Sequence, residues 1–259
     1  MKIKNLESRL FCGLSKVVQA QGEASVYDNS VIKLFKIELS QYYNIIEVLS
    51  KFLSPQEVLR AQRYHQLRDS NRFIICRSFL KILIAKQKSI EVSQVYFEKG
   101  ENHKPYFPLD KTLFFNVSHA GDFAIIAFGN CELGVDIEKI DQHFDYSEII
   151  PVVYDIIEID TIQSSKDSRS MFYKFWTRKE AIVKAIGKGI DEDLIKIPVT
   201  DGFHNILSAL VCNFKNVSVI SFKVNENHIG ALALTNETLS NANIAFYPSP
   251  TVDEIRSLI

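Results

Sequence analysis

Four residues in this chain have types and spacings that could do chemistry. Asp136 and Glu138 are carboxylates two residues apart, and Glu180 and Lys184 are a carboxylate and an ammonium four apart. Leu133-Gly134-Val135-Asp136-Ile137-Glu138 reads as a β-strand, with Val135 and Ile137 on one face and both carboxylates on the other. At a rise of ~3.3 Å per residue their Cβ atoms lie roughly 7 Å apart. Hard oxygens at that spacing can grip one Mg2+, which favours one or two protein carboxylates plus substrate phosphates. An edge strand with a wet face fits the same pattern. Trp176-Thr177-Arg178-Lys179-Glu180-Ala181-Ile182-Val183-Lys184 reads as the start of a helix over 177–186. Thr177 would be its N-cap and Glu180 its third residue, which is the Ser/Thr-x-x-Glu capping box. Glu180 and Lys184 then project from one face. A capped surface helix carrying one Glu–Lys pair has the same signature.

The elements that must position these residues follow from turn and cap signals. Ser30–Leu39 suits a half-buried strand, and a helix is expected from about Gln41 to Phe52. Ser54-Pro55-Gln56-Glu57 is a second helix start, with Ser at the N-cap, Pro at the first position and Glu at the third. A long apolar-faced helix continues to about Lys88. Arg60, Arg63, Arg68, Arg72, Arg77 and Lys81 run along it, opposed by Asp69. Such an array suits phosphate, because each guanidinium offers a planar fork of donors; it also suits a solvated helix face. Val95–Pro108 is a strand ending in a turn-rich loop that holds Lys104-Pro105. Ser118-His119 ends a strand before Gly121. No Gly-x-Ser-x-Gly elbow surrounds Ser118, so a serine hydrolase is excluded. His119 could donate to a phosphate or bond backbone. Residues 141–175 read as helices with a polar loop at 163–170. Gly187-Lys188-Gly189 suits a helix C-cap and lacks the P-loop spacing. Asn216–Val224 and Ile229–Thr235 form a meander. Phe222-x-Val224 followed by His228 echoes Phe115-x-Val117 followed by His119, which hints at two similar α+β halves.

The chain of 259 residues is 46 % apolar, enough for a core without disulfides. Its net charge of −1 gives no basic field for nucleic acid or an anionic membrane. Cys12, Cys76, Cys131 and Cys212 are far apart and read as small core residues in a reducing compartment. The charged N-terminus is no signal peptide and no apolar run could span a membrane, so a cytoplasmic protein is expected.

The ordered set Lys104-Pro105, Asn116-Val117-Ser118-His119, Gly134-Val135-Asp136-Ile137-Glu138 and Trp176-Thr177-x-Lys179-Glu180-Ala181-x-x-Lys184 resembles the Sfp-type 4'-phosphopantetheinyl transferases. The helix from Ser54 with Arg60, Arg63 and Arg72 is similar to that family's coenzyme A-binding helix. The resemblance covers roughly residues 50–190. It departs from the family at His103, where Gly is usual, and at Thr177, where Ser or Cys is commoner. It implies an α+β fold, a pseudo-dimer of two halves, each a small antiparallel sheet packed with a long helix. The halves would be residues 1–132, with the coenzyme A helix and Lys-Pro loop, and 133–259, with the metal site and catalytic helix. It implies transfer of 4'-phosphopantetheine from coenzyme A to a serine of an acyl or peptidyl carrier protein, in fatty-acid, polyketide or nonribosomal-peptide synthesis, with release of 3',5'-ADP. Mg2+ would be held by Asp136, Glu138 and Glu180, with Mn2+ an alternative. Glu180, Lys184 and Asp136 would be catalytic, with Glu180 either base or ligand. Arg60, Arg63, Arg72, Lys104, Pro105, Ser118, His119 and Lys184 would bind coenzyme A. A monomer is expected, with no nucleic-acid or membrane partner. Another Mg2+-dependent phosphoryl-transfer or phosphodiester-cleaving enzyme, or a non-catalytic binder of carrier protein or coenzyme A, would use the same residues.

Overall fold

The computed structural model describes residues 6–20, 32–100, 104–236 and 244–259. Ser30, Val31 and His103 therefore lie outside the described residues. Strands β1 (Glu7–Leu14), β2 (Val17–Gln19) and β3 (Lys33–Glu38) come first. Helices α1 (Ile46–Ser50), α2 (Pro55–Gln62) and α3 (Leu67–Lys88) follow, then β4 (Glu98–Lys99), β5 (Pro105–Tyr106), β6 (Phe114–Ala120), β7 (Phe123–Gly129) and β8 (Leu133–Lys139). Next come α4 (Ile150–Val153), α5 (Ile156–Ser164), α6 (Ser168–Ile186), β9 (Gly202–Leu207), β10 (Asn216–Asn225), β11 (His228–Thr235), β12 (Ile244–Tyr247) and α7 (Val252–Arg256).

The α+β class and the two similar halves are present. One unit runs β3, α3, β6, β7 and the other β8, α6, β10, β11. Each forms an antiparallel sheet core, in the orders β3-β7-β6 and β8-β11-β10. The echoed residues fall on equivalent hairpins, β6–β7 and β10–β11. Parallel strands extend each antiparallel core. Each sheet has five strands. β1 joins β10 in parallel, and β12 runs parallel to both β2 and β3. The terminal strands thus sit across the 132/133 boundary, since β1 lies in the sheet of the second half and β12 in that of the first. Parallel pairing between distant segments leaves no local turn signal.

Local chemistry explains the helices. Ser54 Oγ accepts from Glu57 N–H and Glu57 returns a bond to Ser54 N–H, the expected capping box on α2. The helix expected to continue to Lys88 breaks after Gln62, and Gln66 is extended (φ −102°, ψ 131°) before α3. That break lays Tyr64 against Phe73, with ring centroids 5.8 Å apart. The helix expected at 41–52 is a 3₁₀ segment, Leu39–Ile45, followed by α1.

The largest correction is in α6. It starts at Ser168, where the Asp167 side chain accepts from Ser170 N–H. Thr177 is therefore no N-cap. It is fully buried in mid-helix and its hydroxyl donates to the Lys174 carbonyl at 3.0 Å. The local capping signature yields to the apolar face of 168–176, where Phe172, Tyr173 and Phe175 enter the core. Gly187 ends the helix as expected, at φ 71° with its N–H on the Val183 carbonyl.

Three apolar clusters hold the molecule together. One packs α6 on β1, β10 and β11, and another packs α3 on β3, β6 and β7. A third joins the two sheets, with Leu34, Ile125 and Ala127 against Val135, Ile137 and Leu232. β8 also lies unusually close to α6. A Cβ on Gly134 would sit 2.2 Å from the Ala181 carbonyl oxygen and 2.4 Å from Ala185 N. Both are backbone atoms of α6 and cannot rotate away. Gly134→Ala is therefore expected to lower the free energy of unfolding by about 3 kcal/mol or more, at the upper end of overpacking penalties. A urea titration measures this, and an unchanged midpoint would mean that β8 and α6 can part without loss.

Candidate active site

The two sheets meet edge to edge, β6 against β8, through side chains. Asn116 Oδ1 accepts from Val135 N–H at 3.0 Å, and Ser118 Oγ accepts from Ile137 N–H at 3.4 Å. β6 thereby covers the strand that carries the carboxylates. Asp136 is 3 % exposed, so its strand face is not the wet one that alternation allowed. Its Oδ1 accepts from Lys184 Nζ at 2.6 Å and from Ser118 Oγ at 2.9 Å. Lys184 Nζ also donates to Ser118 Oγ at 3.2 Å. Asp136 Oδ2 is buried with no hydrogen-bond partner.

α6 supplies the facing wall. Trp176, Glu180 and Lys184 form one stripe four residues apart, turned toward β8. Trp176 Nε1 donates to Glu138 Oε1 at 3.3 Å. Arg178 and Lys179 point the other way and are fully buried. Lys179 Nζ bonds the Leu194 and Ile197 carbonyls and pairs with Glu158 at 3.0 Å, so this residue of the motif is structural. Arg178 reaches Ser221, the Gly13 and Val199 carbonyls, and Asp201 at 2.6 Å.

The electrostatics of the stripe are those of crowded acids. Burial, helped by the charges of Asp136 and Glu180 and opposed by Trp176 and Lys184, pushes Glu138 up to about 7. Burial also raises Glu180, with Lys184 opposing and Asp136 adding. Three carboxylates crowded together, one of them with an orphaned buried oxygen, are a hard-oxygen donor set that suits a divalent cation. Among the described residues, no three His, Cys, Asp or Glu side chains already enclose a metal-sized space. Lys184 holds Asp136 Oδ1.

Beside this cluster, a cavity of about 250 Å³ is lined by Arg60, Arg72, Arg77, Pro105, Asn116 and His119, among others. The fold brings together four of the residues expected to bind coenzyme A: Arg60, Arg72, Pro105 and His119. Arg72 is partly neutralised by Asp69 at 2.8 Å, and Arg60 lies on the Phe73 ring at 4.8 Å. Three other expected residues go elsewhere. Arg63 caps the end of α2 and is exposed. Lys104 Nζ is tied to Glu132 at 2.6 Å and to the Leu133 carbonyl at 3.1 Å. Ser118 is buried and turned to Asp136. Arg77, one helical turn beyond Phe73, belongs to the basic array but not to the residues expected to bind coenzyme A. It is wedged between the Phe73 and Phe97 rings, and its Nη1 is buried with no partner. Burial pushes its pKa down, and Arg60 adds to that. Its place one turn from the Arg72–Phe73 face was the available signal.

Residues 132–236 match the model of the 4'-phosphopantetheinyl transferase superfamily, and residues 41–130 match that of the 4'-phosphopantetheinyl transferase N-terminal domain. The 4'-phosphopantetheinyl transferase Sfp of Bacillus subtilis (strain 168) is 30 % identical over 154 residues, 59 % of this chain and 67 % of that protein. The chain belongs to the 4'-phosphopantetheinyl transferase superfamily. The 4'-phosphopantetheinyl transferase psf-1 of Bacillus pumilus is 30 % identical over 151 residues, 58 % of this chain and 64 % of its own length. The 4'-phosphopantetheinyl transferase AcpT of Escherichia coli (strain K12) is 34 % identical over 124 residues, 46 % of this chain and 62 % of its own. A Synechocystis relative is matched over 61 % of its length, so the shared stretch is less than two thirds of several relatives. Residues 132–236, which match the superfamily model, contain Asp136, Glu138, Glu180 and Lys184.

A carboxyl whose pKa is raised on folding binds an extra proton in the folded state. Stability therefore falls as pH rises from about 4.5 to about 7, and the whole penalty is present above that range. Glu138→Gln removes the penalty. In metal-free buffer the variant should melt above wild type at about pH 8 and level with it at about pH 4. Equal melting temperatures at the higher pH would mean that Glu138 is not held against ionisation.

Proposed function

We propose that this chain transfers the 4'-phosphopantetheine arm of coenzyme A to a serine of an acyl or peptidyl carrier protein, releasing 3',5'-ADP with Mg2+ as cofactor. The observation that carries the reading is the acidic cluster of Asp136, Glu138 and Glu180 with Lys184, set beside an arginine-lined cavity in a chain of this superfamily. The serine Oγ attacks the phosphorus that bears pantetheine, and the bond from that phosphorus to the oxygen of 3',5'-ADP breaks. Mg2+, when bound, supplies Lewis-acid charge neutralisation at the pyrophosphate. Asp136, Glu138 and Glu180 are the residues that would hold it. Lys184 neutralises charge that develops on the phosphoryl oxygens, because its ammonium shares the Glu180 face of α6. As the alternative to holding the metal, Glu180, whose proton affinity is raised by burial, is suited to accept the serine proton. Arg60, Arg72, Arg77 and His119 hold the nucleotide phosphates through charge-assisted hydrogen bonds, each worth about 1.5–3 kcal/mol. The chain is proposed to act as a cytoplasmic monomer. Among the described residues, no helix is long and apolar enough to cross a membrane.

Incubation with an apo acyl carrier protein, coenzyme A and Mg2+ should add one phosphopantetheine to the intact mass of the carrier, and EDTA should prevent it. Asp136→Asn, which keeps the shape but halves the acceptor capacity, should lower turnover at least a hundredfold while the chain still folds. Asparagine is the better probe than alanine, because alanine would strand its partners, buried Ser118 and half-buried Lys184. Near wild-type turnover of Asp136→Asn at saturating Mg2+ would remove Asp136 from the metal set. Arg72→Ala should raise the coenzyme A KM by about tenfold with kcat nearly unchanged. A loss confined to kcat would place Arg72 outside the binding cavity.

A further inference from the structure

The seam between the two sheets contains one side chain that the reaction does not use. In an antiparallel pair, alternate residues direct their N–H groups to the partner and those between direct them away. β8 pairs with β11 on one side. On its other side the N–H groups of Val135 and Ile137 meet β6 side chains rather than backbone. Both residues are buried, at 0 % and 1 % exposure, so these donors would otherwise be stranded out of water. Asn116 and Ser118 stand two apart on β6, the same spacing as Val135 and Ile137 on β8. They form two rungs, Val135 N–H to Asn116 Oδ1 at 3.0 Å and Ile137 N–H to Ser118 Oγ at 3.4 Å. The two bonded N–H groups flank Asp136.

Ser118 also contacts the Asp136 carboxylate, whereas the bond of Asn116 is to backbone. Asn116 also borders the cavity shared by Arg60, Arg72 and His119. We propose that Asn116 is a positioning residue. By holding the Val135 N–H, it fixes the register of β8 against β6, so that the Asp136 carboxylate stands between Ser118 and Lys184 and beside the arginine cavity. This rests on the transferase reading for its kinetic consequence, but not for its structural one. Asn116 touches neither the carboxylate nor, in this account, the donor. The rival role is a direct contact to the donor through its amide nitrogen.

Two variants of the full chain separate these roles. Asn116→Ala removes both amide functions, and Asn116→Asp keeps the oxygen acceptor. Hydrogen exchange at the Val135 amide is followed without ligand, and kcat and the coenzyme A KM are followed with a carrier protein. Asn116→Ala should expose the Val135 amide, with exchange at least about tenfold faster. It should lower kcat about 10–100-fold, as loss of an outer partner of a metal ligand does, with the KM within about twofold. Asn116→Asp should recover both Val135 protection and kcat. If Asn116→Ala does not fold, Asn116→Gln, whose oxygen is displaced by a methylene, replaces it with the same expected losses. Unchanged Val135 exchange in the alanine variant would overturn the proposal. So would a raised KM with kcat intact, which would assign Asn116 to the donor, or an aspartate variant as slow as alanine. A wild-type chain that transfers nothing sinks the transferase reading alone, because the exchange measurement still decides whether Asn116 holds β8.

Discussion

The near-contact of β8 and α6 is the constraint on which the rest of the structure depends. Lys184 Nζ reaches within 2.6 Å of Asp136 because Gly134 lets the strand backbone lie directly on the helix backbone. A helix pressed so closely must then do something with every residue on its circumference. Trp176, Glu180 and Lys184 fill the side toward the carboxylates. Arg178 and Lys179 fall on the core side and have to be neutralised there. Glu158, Asp201 and four carbonyls accept them. Burial presses Lys179 toward its neutral form and Glu158 toward its protonated form. Such a pair adds little net stability over an apolar one but penalises any other rotation of the helix. The buried charges thus specify which face α6 turns to the site.

The acidic cluster has a matching logic. Carboxylates are brought together out of water, although Glu138 and Glu180 would be easier to ionise apart. The arrangement is poor for stability and good for gripping a cation. The neighbouring arginines repeat it with the opposite sign, since Arg72 and Arg77 share one small cavity and Arg77 keeps a buried nitrogen unmatched. Two like-charged sets of opposite sign, separated by one strand, give the site a cationic wall on one side and an acidic one on the other.

Much of this was legible in the sequence because it is local. The i, i+4 spacing of Glu180 and Lys184 held, as did the Ser54 capping box, the Gly187 stop and the β10–β11 hairpin. The Asp136–Glu138 alternation was right about the shared face and wrong about water, because the cover comes from β6, which no pattern within 133–138 reports. Thr177 failed as a cap for a related reason. Its Glu180 lies at capping distance, but nine helical residues precede it, and their aromatic face decides the matter. Lys104 and Ser118 were grouped with the anion site on motif order. The fold spends Lys104 on Glu132 and the Leu133 carbonyl, and Ser118 on Asp136. Arg77 was visible as one more basic residue, and burial alone distinguishes it.

The exchange of terminal strands has a consequence for how the chain assembles. β1 is made first yet rests on β10, about two hundred residues later, and β12 completes a sheet whose other strands come from the first half. Neither half can close its own hydrogen-bonded layer as it leaves the ribosome. Contacts of such long sequence separation form late and slow the search. The two lobes are therefore locked like a clasp, each fastened by a strip of the other's end, and a cut between them would leave two open sheets rather than two domains.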